Sequence, residues 1–224
     1  MARGATEVVR HQYDRLAREY DQRWHHYITA TVGQTLRRLK LEPSDRVLDL
    51  GCGTGALMRA IGDRDSSVST WGTDLSREML RVARAHPGTA VPVVAADAAA
   101  LPFRSGAFTV VVSTSSFHYW PSPRAVLDEI ARVLTPEGRV VITDWCDDFF
   151  ACRLCDRLLR LLDPAHQRSY SSRECADYLT ETGFGGVTIS RYKISCLWGL
   201  MTARASGPVG GSRPGPAEQG DPPS

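Results

Sequence analysis

The chain has 224 residues, of which 42% are hydrophobic and 23% are charged, and its formal net charge at pH 7 is +2. This length and composition suit one α/β domain with a well-filled core. The small net charge favours neither a nucleic-acid partner nor a membrane surface. No stretch approaches about 18 consecutive apolar residues, and residues 1–10 lack the apolar core of a signal peptide, so we expect a cytoplasmic protein without membrane insertion. The six scattered cysteines are typical of free thiols in a reducing compartment.

The chain opens with a helical pattern. Apolar and aromatic residues recur at steps of three and four, which predicts one face of an amphipathic helix: Val9, Tyr13, Leu16, Tyr20, Trp24 and Tyr27. A second helical pattern continues through Val32, Leu36 and Leu39 and ends near Pro43. We therefore predict that residues 1–42 form a helical cap.

Strands and helices then alternate along the chain. The predicted strands lie near residues 45–50, 68–73, 91–95, 107–113, 138–144, 185–192 and 195–203. The predicted helices cover residues 55–63, 76–86, 122–134, 147–163 and 171–182. Such alternation predicts βαβ units and a parallel sheet. The last two strands are too close in sequence for a crossover helix, so we expect an antiparallel hairpin joined around residues 191–194.

The predicted fold class is therefore α/β: a Rossmann-like, seven-stranded, mostly parallel sheet with an antiparallel C-terminal hairpin and helices on both faces. Residues 43–204 would form this domain, with a helical lid over residues 147–182. Ten of the 20 residues in 205–224 are Gly or Pro. That segment has too few apolar side chains to offset the entropy of ordering, so we predict that it is disordered.

A glycine-rich turn is the strongest local signal. The predicted strand that ends in Val47-Leu48-Asp49-Leu50 runs directly into Gly51, Gly53 and Gly55. Glycines let backbone approach a ligand that a Cβ would repel, and the following helix offers free N–H groups. A dinucleotide-binding turn reads G-x-G-x-x-G, whereas here the third glycine comes one residue early.

Two further acids follow the next predicted strands. Asp74 ends the second strand, where a carboxylate can accept both hydroxyls of a ribose. Asp97 follows the third strand, where an acceptor suits the exocyclic amine of adenine. Together with Asp49 they stand at the carboxyl ends of three successive strands. We therefore expect the three carboxylates to converge on one crevice.

The run from Arg46 to Cys146 resembles the class I S-adenosylmethionine (AdoMet) methyltransferases, in the branch called methyltransferase type 11. The resemblance implies AdoMet as the cofactor and a small-molecule methyl acceptor whose acceptor atom stays open. Separately from the resemblance, we expect a monomer or homodimer with no nucleic-acid partner and no metal. The cofactor contacts that the resemblance assigns fall on Tyr20, Asp49, Gly51, Cys52, Gly53, Asp74, Leu75, Met79, Asp97, Ala98 and Ser113.

His118 is the candidate catalytic residue. The sulfonium of AdoMet makes the methyl group transferable, so the protein has chiefly to align a nucleophile and exclude water. A hydroxyl or phenol acceptor would benefit from a base, and histidine is the usual side chain for that work. The aromatic run Phe117-His118-Tyr119-Trp120 instead allows His118 to be a wall of the pocket. Both interpretations stay open at this point.

Three other functions compete with this one. A regulator could bind AdoMet without turnover, and a nicotinamide oxidoreductase would share Asp74 and the turn. A metalloid or thiol methyltransferase could use the Cys152/Cys155 pair, although cysteine also packs as a small hydrophobe. For a small-molecule methyltransferase we expect the first 40 residues and the 147–182 helices, with Phe149, Phe150, Leu154 and Tyr170, to form the lid that sets substrate choice.

Overall fold

The computed structural model of the chain describes residues 2–86, 92–162, 166–195 and 198–208. The strands are β1 (Arg46–Leu50), β2 (Ser69–Asp74), β3 (Val93–Ala95), β4 (Phe108–Thr114), β5 (Leu134–Trp145), β6 (Phe184–Lys193) and β7 (Gly199–Pro208). The helices are α1 (Ala2–Leu16), α2 (Tyr20–Arg23), α3 (His25–Arg38), α4 (Ala56–Arg64), α5 (Arg77–Ala85), α6 (Pro123–Val133), α7 (Phe150–Leu162) and α8 (Ser172–Glu181), with a 3₁₀ turn at Phe117–Tyr119.

These strands form one seven-stranded sheet in the order β3-β2-β1-β4-β5-β7-β6. The first five strands of this order are parallel, and β7 pairs antiparallel with both β5 and β6. The predicted fold class is thereby confirmed. The chain order reverses between β1 and β4, which lie side by side. A reversal of this kind opens a crevice beyond the carboxyl ends of the strands, where such sheets bind ligands.

The core lies on both faces of the sheet. Leu48 and Val111 point to a large apolar cluster that also contains residues of α6 and α8. Val47 and Val110, one position earlier on the same strands, point to a second cluster against α3 and α4. Because alternate residues of a strand face opposite sides, a sheet covered on both faces needs apolar residues at every central position. This packing fixes the strand ends that carry the site.

The N-terminal cap differs from its prediction in one respect. The pattern from Val9 to Tyr27 predicted a continuous helix, but the structure divides it into α1, α2 and α3, with breaks around Ala17 and at Trp24. The breaks let α1 pack beside α5 while α3 packs on α4 and the central strands. One straight helix could not lie against both places.

The C-terminal hairpin is confirmed, but its turn comes later than predicted. The last paired residues are Lys193 and Gly199, so the connection covers residues 194–198 rather than 191–194. Strand β7 continues to Pro208, four residues into the segment that we predicted to be disordered, because it is hydrogen-bonded to β5 on one side and β6 on the other. Residues 209–224 lie outside the described residues.

Helices α7 and α8 occupy the region predicted as a lid. Helix α8 begins with the expected capping box, in which the Ser171 side chain accepts from the backbone N–H of Glu174 and the Glu174 side chain accepts from the backbone N–H of Ser171. None of the described helices combines the length and the apolar character that crossing a bilayer requires.

Candidate functional site

The glycine turn is held against the end of β2 by backbone hydrogen bonds. The N–H groups of Gly51 and Cys52 both donate to the Thr73 carbonyl, at 2.8 and 2.9 Å. Gly51 has φ +77°, and a Cβ there would come within 2.8 Å of the Ser116 side chain. Gly53 has φ +54°, and a Cβ there would meet no protein atom within 4 Å, so that position faces open space. The turn therefore requires glycine at 51 for packing, and glycine at 53 leaves its backbone accessible to a ligand.

Asp74 joins the glycine turn to the start of α5. Its Oδ2 accepts from the Gly53 N–H at 2.9 Å, and its Oδ1 accepts from the Ser76 N–H at 2.8 Å. Burial raises the pKa of Asp74 to about 6, against the opposing effect of these backbone donors. Each oxygen still has a lone pair that a ligand hydroxyl can use.

Asp49 is a buried carboxylate without a partner. It is 1% exposed on β1, and among the described residues neither of its oxygens receives a hydrogen bond. Burial, with repulsion from Asp74, raises the pKa of Asp49 to about 8. An unsatisfied carboxyl group in this position destabilises the fold, so its presence points to a partner that the polypeptide itself does not provide.

A cavity lies over the carboxyl ends of β1, β2 and β4. Eight of the eleven predicted cofactor residues line it: Tyr20, Gly51, Gly53, Asp74, Leu75, Met79, Asp97 and Ala98. A smaller cavity adjoins it beneath α3 and has five lining residues in common with it: Tyr20, Gly51, Gly53, Thr114 and Ser115. The two cavities therefore follow the glycine turn from the β2 end to α3.

The remaining three predicted residues do not line the main cavity, although Cys52 lines the smaller one. Asp49 is buried in β1, as described above. The Cys52 side chain lies in a small apolar cluster against Gly72 of β2, although its backbone lines the turn. Ser113 is fully buried, and its hydroxyl shares a 2.7 Å hydrogen bond with that of Ser116, which in turn donates to the Leu50 carbonyl at 3.2 Å. The roles of these residues as direct cofactor contacts thus remain predictions.

The N-terminal cap is tied to the turn by two aspartates. Asp14 of α1 accepts a 2.6 Å hydrogen bond from the Ser76 hydroxyl at the start of α5. Asp21 of α2 accepts a 2.6 Å hydrogen bond from the Thr54 hydroxyl within the turn. These bonds place Tyr13 and Tyr20 in the cavity wall, with ring centroids 5.8 Å apart.

Ser115 carries the strained backbone of the site. Ser115 directly follows β4, and it is the one described non-glycine residue with a positive φ, +55°. This conformation costs on the order of 1–3 kcal/mol and must be imposed by its surroundings. The Ser115 hydroxyl shares a 2.7 Å hydrogen bond with the Tyr27 hydroxyl, which accepts from Trp145 Nε1 at 2.6 Å. The chain Trp145–Tyr27–Ser115 therefore joins β5 and α3 to the floor of both cavities.

His118 is held by Asp144 at the end of β5. Its Nδ1 lies 2.7 Å from Asp144 Oδ1, and its backbone N–H donates to Asp144 Oδ2 at 3.0 Å. The ring lies between Trp145, at 5.5 Å and nearly parallel, and Tyr119, at 4.0 Å between ring centroids. His118 is buried and does not line the cavity, whereas Tyr119 does.

Sequence reasoning missed part of the cavity wall. The unpredicted lining residues include Thr6, Val9, Arg10, Ser122 and Val126. Asp14 and Asp21 each stand beside a tyrosine and are two helical turns apart. This spacing could have predicted that both side chains bind the turn and hold the cap in place. The lining includes no residue from 147–182, so the substrate-selecting role of that segment remains a prediction.

Known proteins match this chain in sequence and in fold. The family model "Methyltransferase domain" matches residues 48–142. Demethylmenaquinone methyltransferase of Corynebacterium urealyticum is 33% identical over 183 residues, which cover 76% of this chain and 75% of that protein. The chain belongs to the class I AdoMet-dependent methyltransferases.

Other similarities of this methyltransferase are more partial. Malonyl-[acyl-carrier protein] O-methyltransferase of Geobacter sulfurreducens is 41% identical over 100 residues, covering 44% of this chain and 37% of that protein. The first four curated relatives are matched over only 37% to 51% of their own length. A chain from the complex between the Haloferax volcanii Trm112 methyltransferase activator and a methyltransferase has the same fold, with a TM-score of 0.77 and 22% identity, covering 88% of this chain and 98% of that one.

The Trp145–Tyr27–Ser115 chain should stabilise the methyltransferase fold. We expect Tyr27→Phe to lower the free energy of unfolding by about 1–2 kcal/mol, because it leaves Trp145 Nε1 and Ser115 without their shared partner. The melting temperature should fall by roughly 2–8 °C. Tyr178→Phe on α8 is the matched control, and its melting temperature should stay close to that of the wild type. Equal melting temperatures for the two variants would contradict the role given to Tyr27.

Proposed function

We propose that this methyltransferase binds AdoMet in the two adjoining cavities and transfers its methyl group to a small organic molecule. The observation that supports this most is the excess of carboxylates around the glycine turn. Asp74 and Asp97 line the main cavity, and the unpaired Asp49 lies buried behind the turn. Among the lining residues only Arg10 carries the opposite charge. Such surroundings favour a cationic ligand, and AdoMet carries both a sulfonium and an ammonium group.

The same charge balance weighs against a nicotinamide dinucleotide. A dinucleotide brings a pyrophosphate, which is normally bound at a helix N-terminus through a G-x-G-x-x-G turn. Here the turn has the shorter glycine spacing, and Asp74 already accepts its Gly53 N–H. The negative charge of Asp74 would repel a pyrophosphate beside it.

Different residues of the chain would contact different parts of AdoMet. Asp74 would accept from the ribose hydroxyls, and Asp97 with the backbone of Ala98 would meet the adenine ring. Gly51 and Gly53 would border the amino-acid part, which extends toward the smaller cavity under α3. Asp49 would supply the buried counter-charge behind that part. When bound, AdoMet supplies the electrophilic methyl group, and the chain has to position the acceptor and keep water away.

The acceptor would approach along the wall made by the cap and the 3₁₀ turn. Tyr13 and Tyr119 pack there edge to face, with ring centroids 5.4 Å apart, and Trp120 lines the same cavity. Burial raises the pKa of Tyr13 well above its ordinary value, so its hydroxyl stays protonated. A wall of neutral aromatic rings suits an apolar or aromatic acceptor.

His118 would act as a support for this wall rather than as a base. Asp144 fixes the ring behind Tyr119, and the cavity lining does not include His118. A base has to reach the proton that it removes, directly or through one water. We therefore assign His118 the positioning of Tyr119.

The alternative of a metalloid or thiol site has little support in the described residues. Cys152 lies against Gly199, with its sulfur 3.2 Å from the Gly199 nitrogen, and burial raises its pKa. Burial raises the pKa of Cys146 to about 12. Neutral thiols of this kind are poor metal ligands, and Cys196 lies outside the described residues. Incubation with methyl-labelled AdoMet distinguishes an enzyme from a regulator that binds AdoMet without turnover.

Cofactor binding is tested by titrating AdoMet into the wild type and Asp74→Ala. We expect the variant to bind at least about tenfold more weakly, because the ribose loses a charged acceptor and the Gly53 N–H loses its partner. Asp63→Ala, at an exposed position of α4, is the matched control and should bind as the wild type does. An unchanged dissociation constant for Asp74→Ala, or tight binding of NADH with no AdoMet signal, would contradict the proposal.

Turnover is tested by incubating the protein with methyl-labelled AdoMet and a small-molecule extract. We expect label in the small-molecule fraction. With the acceptor so identified, His118→Asn should lower kcat by no more than about tenfold and leave the shape of the pH profile unchanged, because a positioning residue does not titrate in the reaction.

Two results of this assay would count against the proposal. Binding of AdoMet without any label transfer would favour the regulator. Loss of the low-pH limb of the profile in His118→Asn would instead identify His118 as the base.

A further inference from the structure

Helix α7 exposes a large apolar face. Five of its side chains are strongly exposed in the described part of the chain: Phe150 (76%), Leu154 (60%), Leu158 (55%), Leu161 (84%) and Leu162 (70%). At about 100° per residue these positions fall within one arc of roughly 120°. Apolar faces of this kind on a helix mark a surface that meets a partner.

The border of this face is basic. Arg153, Arg157 and Arg160 are all exposed and follow one another at steps of three and four, so they form a row beside the apolar arc. The one acid in α7, Asp156, is buried on the opposite side, where Oδ1 accepts from the Ser169 N–H and contacts His166, while Oδ2 pairs with Arg160. Because Arg160 is paired with this carboxylate, the uncompensated positive charge on the outward side of α7 belongs to Arg153 and Arg157.

The opposite side of α7 is docked onto the sheet. Cys152 contacts Gly199 of β7 through its sulfur, and Asp156 is held by the segment that follows the helix. The apolar face is thus not explained by packing within the described chain. Helix α7 also starts five residues after Trp145, the end of β5, so it stands at the same edge of the sheet as the cavities.

The charge of this surface indicates which kind of partner can bind to it. A second copy of the chain meeting it face to face would bring two rows of arginine together with no carboxylate between them, which is unfavourable. Residues 210–224 contain no Leu, Ile, Val, Met or aromatic side chain to cover the face. An anionic bilayer offers both an apolar layer for the leucines and headgroup charges for the arginines.

We propose that α7 docks this protein on the surface of an anionic phospholipid bilayer, with the leucines in the interfacial layer and the arginines at the headgroups. The helix would lie in the plane of the surface and would not cross it. The overall net charge of +2 gave no sign of this, because the acids and bases of the rest of the chain nearly cancel and hide a local basic row. This surface does not depend on methyl transfer.

The test is flotation of the full chain with two kinds of vesicle, one of phosphatidylcholine alone and one with added phosphatidylglycerol. We expect binding that rises with the phosphatidylglycerol fraction and falls with salt. Arg153→Gln with Arg157→Gln should weaken the partition coefficient by about fivefold per arginine. The triple variant Leu154→Gln, Leu158→Gln and Leu161→Gln should weaken it at least about tenfold.

Two controls separate this surface from general charge and apolarity. Arg173→Gln changes an arginine of α8 that is 91% exposed, and Val8→Gln changes an exposed apolar side chain of α1. Both should bind vesicles as the wild type does. The replaced α7 side chains are exposed, so thermal melting should show all variants folded.

Three results would overturn the proposal. One is the absence of flotation with anionic vesicles. A second is equal binding to neutral and anionic vesicles. The third is a dimer in sedimentation velocity that the triple leucine variant abolishes, since that would make the face a contact between copies. AdoMet titration of the same variants reports separately on the proposed function, because none of these residues lines the cavities.

Discussion

The account of this site depends on one carboxylate that is buried without a hydrogen-bond partner. Asp49 lies in β1, inside a sheet that is covered on both faces, and no donor among the described residues is hydrogen-bonded to it. Repulsion from Asp74 adds to its desolvation. A fold keeps such a group only if something outside the chain compensates it. The glycine turn, the second aspartate and the empty space beside Gly53 all fit a cation at that place.

The elements around this group have separate tasks. The sheet and the glycine turn form the side of the cavity that we propose for the cofactor, and the N-terminal cap is tied to that side through Asp14 and Asp21. The Tyr27–Ser115 hydrogen bond fixes the point where the two cavities meet. No residue of α7 lines either cavity in the described part of the chain, so the membrane contact and the chemistry would be carried by different residues of one domain.

Much of this could be predicted from the sequence because it depends on local rules. Strand periodicity predicted the sheet, and the glycine turn and the acids after the strands indicated Gly51, Gly53, Asp74 and Asp97. The family resemblance added the other four cavity residues, Tyr20, Leu75, Met79 and Ala98. The break of the opening helix at Ala17 and Trp24 could not be predicted in this way, because both positions fit a helical pattern and the break follows from packing on two distant surfaces. The left-handed Ser115 likewise has no local signature, since tertiary contacts impose it.

Residues that the sequence assigned to the same role differ in how deeply the structure buries them. The family resemblance assigned Cys52 and Ser113 to the cofactor, yet the Cys52 side chain packs against Gly72 and Ser113 is buried beside Ser116. Leu154 and Phe150 were assigned to the substrate-selecting lid, and both are strongly exposed. Their periodicity shows that α7 is amphipathic and does not show which of its faces meets the sheet.

The most direct test of the account is the proton balance of AdoMet binding, measured by calorimetry at pH 7 in buffers of different ionisation enthalpy. Asp49, with its pKa raised to about 8, is mostly protonated in the free protein at that pH. A cation bound near it favours the ionised form and lowers that pKa, so binding should release up to about one proton and should tighten as the pH rises toward 8. Asp49→Asn should lose that proton release and that pH dependence. If the wild type and Asp49→Asn show the same proton balance, Asp49 is not the counter-charge of the ligand and the central claim fails.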